Sequence, residues 1–331
     1  MGSKILIILL AILPLAPYSS SASEVPVATK IVDCKNEINC INKSITEAKD
    51  YKALAENFKV YITLVKKSES LFESCHTVAH AIGKIAYERY EEKGFVKGQV
   101  ACQYGFAHGY LVGMSKKIKG EKFVKGGVEV CQSISSLSER SLCYHGVGHG
   151  AASAFESFKE TVESCLLLKD KNYQNDCVTG GSMERANSVA NFPTEFKKQV
   201  ELCTKSKISS NPTLLRSCLS QVLTYKLYLY DQVVALEKDC IKSSANVVAG
   251  CYEAMGYIAA TYLLPKIDSL EGKVSMGVRV CSKDRSQWCT QSLISRTYSL
   301  TDKKEVPIEI CKVQKNIKRD DCRKIIDKLA S

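Results

Sequence analysis

All five histidines of the 331-residue chain fall between positions 76 and 149. Three segments carry them: Cys75-His-Thr-Val-Ala-His80, Cys102-Gln-Tyr-Gly-Phe-Ala-His108-Gly and Cys143-Tyr-His-Gly-Val-Gly-His149-Gly. His76/His80 and His145/His149 are i,i+4 pairs, which a helix stacks one above the other on a single face. Such a pair presents two imidazoles to one transition metal, and a further element, here the one carrying His108, supplies the next ligand. An all-imidazole set of His76, His80, His108, His145 and His149 suits one copper or zinc ion. Neither pair encloses the Glu of H-E-x-x-H, and the paired Glu-x-x-His motifs of di-iron bundles are absent, so neither of those chemistries is indicated.

The last two histidine segments share the spacing C-x5-H-G, as one repeat position used twice. In the next unit Met183 stands six residues after Cys177, and later Tyr257 stands six after Cys251. The unit therefore does not need a histidine there for its own packing. Gly146 and Gly148 each cost a helix about 1 kcal/mol relative to Ala, which points to a close approach by another backbone or a ligand. Tyr104, Tyr110 and Tyr144 flank the cluster, read as inter-helix packing with a hydrogen-bonding role as the alternative. The run Tyr225, Tyr228, Tyr230 reads as core filling, and Trp288 as a lid on a local disulfide. Three functions remain open: a binding, storage or structural metal site, an interaction scaffold with no metal, and a metal-dependent oxidase or hydrolase. The residues do not decide whether the protein is an enzyme.

The elements that hold these histidines are marked out by the cysteines. The sixteen stand at Cys34, Cys40, Cys75, Cys102, Cys131, Cys143, Cys165, Cys177, Cys203, Cys218, Cys240, Cys251, Cys281, Cys289, Cys311 and Cys322. From Cys131 onward they form close couples whose first members recur every 30 to 41 residues, the length of a helix–turn–helix repeat. Segments 196–207, 214–230, 247–264 and 274–281 carry apolar residues at three- and four-residue spacing. Asn211-Pro212 and Phe192-Pro193 read as helix starts. The expected fold is all-α, a solenoid-like row of helical hairpins. Each is stapled by a disulfide from the last turn of one helix to the first turn of the next, worth about 2–4 kcal/mol. Cys34 is expected with Cys40 and Cys75 with Cys102, leaving no thiol free.

The segment Ala249-Gly-Cys-Tyr-Glu-Ala-Met-Gly-Tyr257, and Cys281 to Cys289 with seven residues between, resemble the cysteine-rich Sel-like repeats, an α-solenoid family related to tetratricopeptide repeats. The resemblance extends from about Val130 to the C-terminus and concerns architecture. It implies a protein-interaction scaffold and carries no catalytic residues. Most couples are spaced more widely than the family's seven, and its Gly/Ala consensus is missing from nearly every unit.

The N-terminus reads as an address. Lys4, an apolar run from Ile5 to Leu15, and Ser20 and Ala22 at the −3 and −1 positions describe a signal peptide over 1–22. Pro14 interrupts the run before it reaches spanning length. No later stretch is expected to span a membrane. An N-terminal helical segment (23–67), histidine-bearing repeats (68–157) and cysteine-paired repeats (158–331) follow. Sixteen cysteines with no C-x-x-C imply an oxidising, secreted or extracytoplasmic setting, and count against zinc ribbons, thioredoxin chemistry and haem attachment. The formal charge of +11 is scattered in pairs such as Lys66-Lys67 and Lys116-Lys117, without a basic aromatic stripe, so nucleic acid is not an expected partner. Another exported or cell-surface protein is, and the chain reads as monomeric or weakly associating. Asn42-Lys43-Ser44 is a glycosylation sequon.

Overall fold

A computed structural model describes residues 40, 43–44, 47–65, 69–95, 102–188, 192–225, 227, 229–282, 287–301, 304–314 and 317–330. Fifteen α-helices and no strand occur among these residues. They run α1 (Tyr51–Val65), α2 (Glu69–Tyr90), α3 (Gly105–Lys117), α4 (Gly120–Gln132), α5 (Leu137–Ala154), α6 (Phe158–Ser164) and α7 (Lys171–Ser188). Then come α8 (Phe196–Thr204), α9 (Pro212–Val222), α10 (Tyr230–Cys240), α11 (Ala245–Ile258), α12 (Leu270–Val280), α13 (Trp288–Thr301), α14 (Glu305–Val313) and α15 (Arg319–Ala330). The all-helical architecture agrees with the Sel-like resemblance. The expected signal peptide, the Cys34–Cys40 pairing and the sequon at Asn42 involve residues outside the described ones.

Local chemistry sets the helix starts. Ser157 and Glu160 form a reciprocal capping box at α6, and Ser136 and Ser269 cap α5 and α12. Asn211 accepts from the main-chain N–H groups of Thr213 and Leu214, with Pro212 in the first turn. Each cap satisfies a donor the helix leaves unpaired, worth about 1 kcal/mol. Two expectations shift. After Phe192-Pro193 the helix begins only at Phe196, and the Pro193 carbonyl instead accepts from the Gln199 side chain. The run expected over 214–230 stops at Val222, where the chain turns and Tyr225 packs edge-on against Phe192, ring centroids 4.9 Å apart.

Seven disulfides staple the described chain: Cys75–Cys102, Cys131–Cys143, Cys165–Cys177, Cys203–Cys218, Cys240–Cys251, Cys281–Cys289 and Cys311–Cys322. The pairings are the expected ones and fit an oxidising, extracytoplasmic environment. Their placement differs in one respect. Cys143, Cys177, Cys218 and Cys251 lie in the second turn of their helices, because each inner helix starts one turn earlier and runs past the end of its partner. Cys75–Cys102 is a separate case, joining α2 to the start of α3.

The helices form two layers. The inner layer is α2, α3, α5, α7, α9, α11, α13 and α15, each packed on the next, and the intervening short helices lie outside it. Glycine lets the inner helices approach closely. A Cβ on Gly109 would lie 1.7 Å from the His80 carbonyl oxygen, and one on Gly256 2.1 Å from that of Cys289. The outer helices touch one another far less, so each hairpin is a wedge with its narrow edge inward, and the row curls. One contiguous apolar core runs through it from Ala48 to Ile326. The helical run Ala245–Lys266 is long and apolar enough to cross a membrane, which the sequence reading did not anticipate. Its most apolar stretch is 67% buried inside the protein, packed between α9 and α13.

Candidate metal centre

The curl brings residues of α2, α3, α5, α7, α9, α11 and α13 around one cavity of about 750 Å³. The histidines make up one wall. α2 supplies His76 and His80, α3 supplies His108, and α5 supplies His145 and His149. All five rings join a single cluster, with neighbouring centroids 4.9 to 6.3 Å apart. His108 is central, facing each of the other four. The expected convergence of these residues from three helices is therefore present. No three of their side chains already converge as a metal-holding group among the described residues.

Hydrogen bonds assign the ring nitrogens. His76 Nδ1 lies 3.0 Å from the Cys102 carbonyl and donates to it, which leaves Nε2 with a lone pair. That carbonyl is aimed by a left-handed kink, with φ of +60° at Cys102 and +63° at Tyr104, a conformation costing about 1–3 kcal/mol outside glycine. His108 Nε2 donates to the Leu142 carbonyl at 3.0 Å. Its Nδ1 is then a lone pair, buried with no hydrogen-bond partner. His149 Nδ1 donates to Glu184 Oε2 at 2.8 Å, so its Nε2 is also bare.

His145 Nε2 and His149 Nε2 stand 3.1 Å apart. With Glu184 holding His149 Nδ1 as the donor, His149 Nε2 accepts at that contact and a neutral His145 donates its Nε2–H. A metal ion at the pair would take the place of that proton and bind both nitrogens. Burial pushes His80 down to about 4 and pushes His108 and His145 well below the ordinary imidazole value. His76 is lowered as well, again chiefly by burial. Two nitrogens each about 2.0–2.1 Å from one tetrahedral ion are themselves about 3.3 Å apart. Glu184 behind His149 is the carboxylate–histidine arrangement that orients a metal-bound ring.

The glycines serve the site as the sequence suggested. Gly148 admits the Cys177 carbonyl, 2.0 Å from where a Cβ would be, and Gly146 admits the His108 ring. The flanking tyrosines pack. Tyr144 stacks on Tyr173 with centroids 4.1 Å apart, Tyr110 bonds the Glu91 carbonyl, and Tyr104 reaches Glu139. Trp288 is no lid on a disulfide. It opens α13, lines the cavity and lies beneath the Arg216 guanidinium at 3.8 Å.

The rest of the lining was not foreseen. Asp176, Gln221, Glu253, Tyr257, Trp288 and Arg296 belong to it with Met183. Asp176 accepts from Ser141 Oγ at 2.6 Å, and burial pushes its carboxyl up to about 6. Glu253 pairs with Arg216 Nε at 2.8 Å and is raised by its burial. A signal for this lining lies in the register. Positions two and six after the second cysteine of a hairpin face the cavity: His145 and His149, Thr179 and Met183, Glu253 and Tyr257, Gln291 and Ser295. No protein-family model, no curated protein and no solved structure matches the chain, so its function is argued from these residues alone.

Proposed function

We propose that this protein is an exported, disulfide-stapled helical repeat protein that binds one zinc or copper ion at its histidine cluster. The observation that carries the reading is the five-ring cluster from three helices, with His145 Nε2 and His149 Nε2 3.1 Å apart and Glu184 behind one of them. His108 supplies the next ligand through Nδ1, the buried nitrogen with no hydrogen-bond partner. Rotation of the His108 ring, and of His76 or His80 beside it, completes the set. Burial lowers the basicity of His108 and His145, which favours the neutral rings that coordination requires. Bound there, the ion supplies Lewis acidity to whatever occupies the adjoining cavity.

The test is metal analysis of mature protein purified from an oxidising compartment, with zinc and copper titrations of the stripped chain. One ion per chain is expected, with thermal stability rising on loading, since a ligand at 100 times its Kd adds about 2.7 kcal/mol. The double variant His145→Ala/His149→Ala should lose both the ion and the rise. A metal-free wild type that neither ion stabilises would sink the reading and favour the metal-free scaffold.

A further inference from the structure

Arg296 on α13 lines the same cavity as the histidines. It is half-buried, and no carboxylate of a described residue lies within ion-pair distance of it. Its guanidinium is held rather than loose. Nε donates to Thr261 Oγ1 at 3.3 Å, and the group lies over the Tyr257 ring, 4.8 Å from the centroid. Both supports come from the end of α11, where the backbone widens into a π-helical turn over Ala259–Leu263. Such single turns recur at functional sites because they re-aim side chains. Tyr257 and Thr261 are thereby fixed under one arginine, whose terminal nitrogens carry no hydrogen bond to a described residue.

Each neighbouring carboxylate has another partner. Glu253 is engaged by Arg216, Asp176 accepts from Ser141, and Glu184 accepts from His149. Arg296 lines the same cavity as His76, His108, His145 and His149, so the guanidinium and the histidines face the same interior space. The cavity therefore has two positive poles once an ion is held: the metal at the histidines and the forked guanidinium of Arg296. A guanidinium is matched geometrically by a carboxylate, which it binds through two parallel N–H···O bonds.

We propose that the cavity binds a small dicarboxylate or hydroxycarboxylate, with one carboxylate on Arg296 and its second oxygen donor on the metal. This rests on the metal reading above. Neutral donors in the lining, Gln221, Gln291 and Ser292, satisfy the remaining oxygens. Succinate can engage both poles and should be held, whereas acetate reaches only one and should bind more weakly.

The test is isothermal titration of succinate, acetate and inorganic phosphate into zinc-loaded wild type, the stripped protein and zinc-loaded Arg296→Gln and Arg296→Lys, with zinc content assayed in every sample. One succinate per loaded chain is expected. Affinity should fall at least tenfold in Arg296→Gln and by less in Arg296→Lys, at unchanged zinc content and melting temperature. Stripped protein should bind at least tenfold more weakly than loaded protein. Loaded wild type that ignores succinate overturns the inference and leaves the metal reading standing. So does equal binding by Arg296→Gln, which would place the anion on the metal alone. Tighter binding of phosphate than succinate overturns the carboxylate assignment. Failure of wild type to take up zinc shows in the assay itself and removes both readings.

Discussion

Two stretches of one inner layer use the same helix register for different ends. In α3 and α5 the position six residues after the cysteine is His108 and His149, while in α7, α11 and α13 it is Met183, Tyr257 and Ser295. The backbone arrangement beneath is shared. Gly148 receives the Cys177 carbonyl in the histidine half, and Gly256 receives that of Cys289 in the later half. Packing is thus a property of the repeat and chemistry a property of the slot. Side chains in that slot vary, while Gly148 and Gly256 stand at the same position, five residues after their cysteines.

That division can be broken by experiment. The largest effects should come from the shared glycines. Gly148→Ala and Gly256→Ala each force a Cβ into a carbonyl oxygen and should cost about 1–3 kcal/mol or more as overpacking, read as urea-unfolding midpoints. Equal losses in the two halves, with metal binding damaged only by Gly148→Ala, would sharpen the comparison. A harmless Gly256→Ala would break it. Next in size is Glu184→Gln, which removes the carboxylate behind His149 without touching a ligand. Metal affinity should fall about 10–100-fold, measured by competition with a chelator, and an unchanged affinity would place the ion elsewhere.

A smaller effect concerns pH. In the metal-free protein His108 is buried and His80 and His145 are half-buried, all three with lowered basicity. As pH falls below about 6.5, the unfolded chain takes up protons the folded chain refuses. Stability present at neutral pH is therefore lost progressively down toward about 4, the value to which burial pushes His80. The urea midpoint of the stripped protein should decline across that window, and His80→Leu should make the slope shallower. A flat profile would mean the histidines are open to water. Smallest of all, Met183→Leu should change metal affinity less than about threefold, since shape alone is kept there. A large loss would make the thioether a ligand.

Much of the scaffold was readable from residues. The cysteine spacing marked out the hairpins because each staple joins neighbours in sequence, and local spacing carries local structure. The histidine cluster was readable because the i,i+4 rule and the repeated C-x5-H-G put the rings on corresponding faces. The second-turn placement of Cys143 and its equivalents was not, since it depends on how far one helix overshoots its partner. Arg296 and Trp288 were missed for a different reason. They meet the histidines only through curvature accumulated over several glycine contacts, a quantity no single window of sequence contains. Even so, the register six residues past the cysteine pointed at Tyr257, the ring that supports Arg296.

The staples have a consequence for how the chain is made. Every disulfide among the described residues joins cysteines that are consecutive along the sequence, separated by 8 to 27 residues. None encloses another and none crosses another. A polypeptide emerging N-terminus first into an oxidising compartment can therefore oxidise in order of arrival, each thiol meeting its native partner before the next couple appears. Such a chain needs an oxidant where it emerges but little shuffling afterwards, and the histidine-bearing end is sealed first.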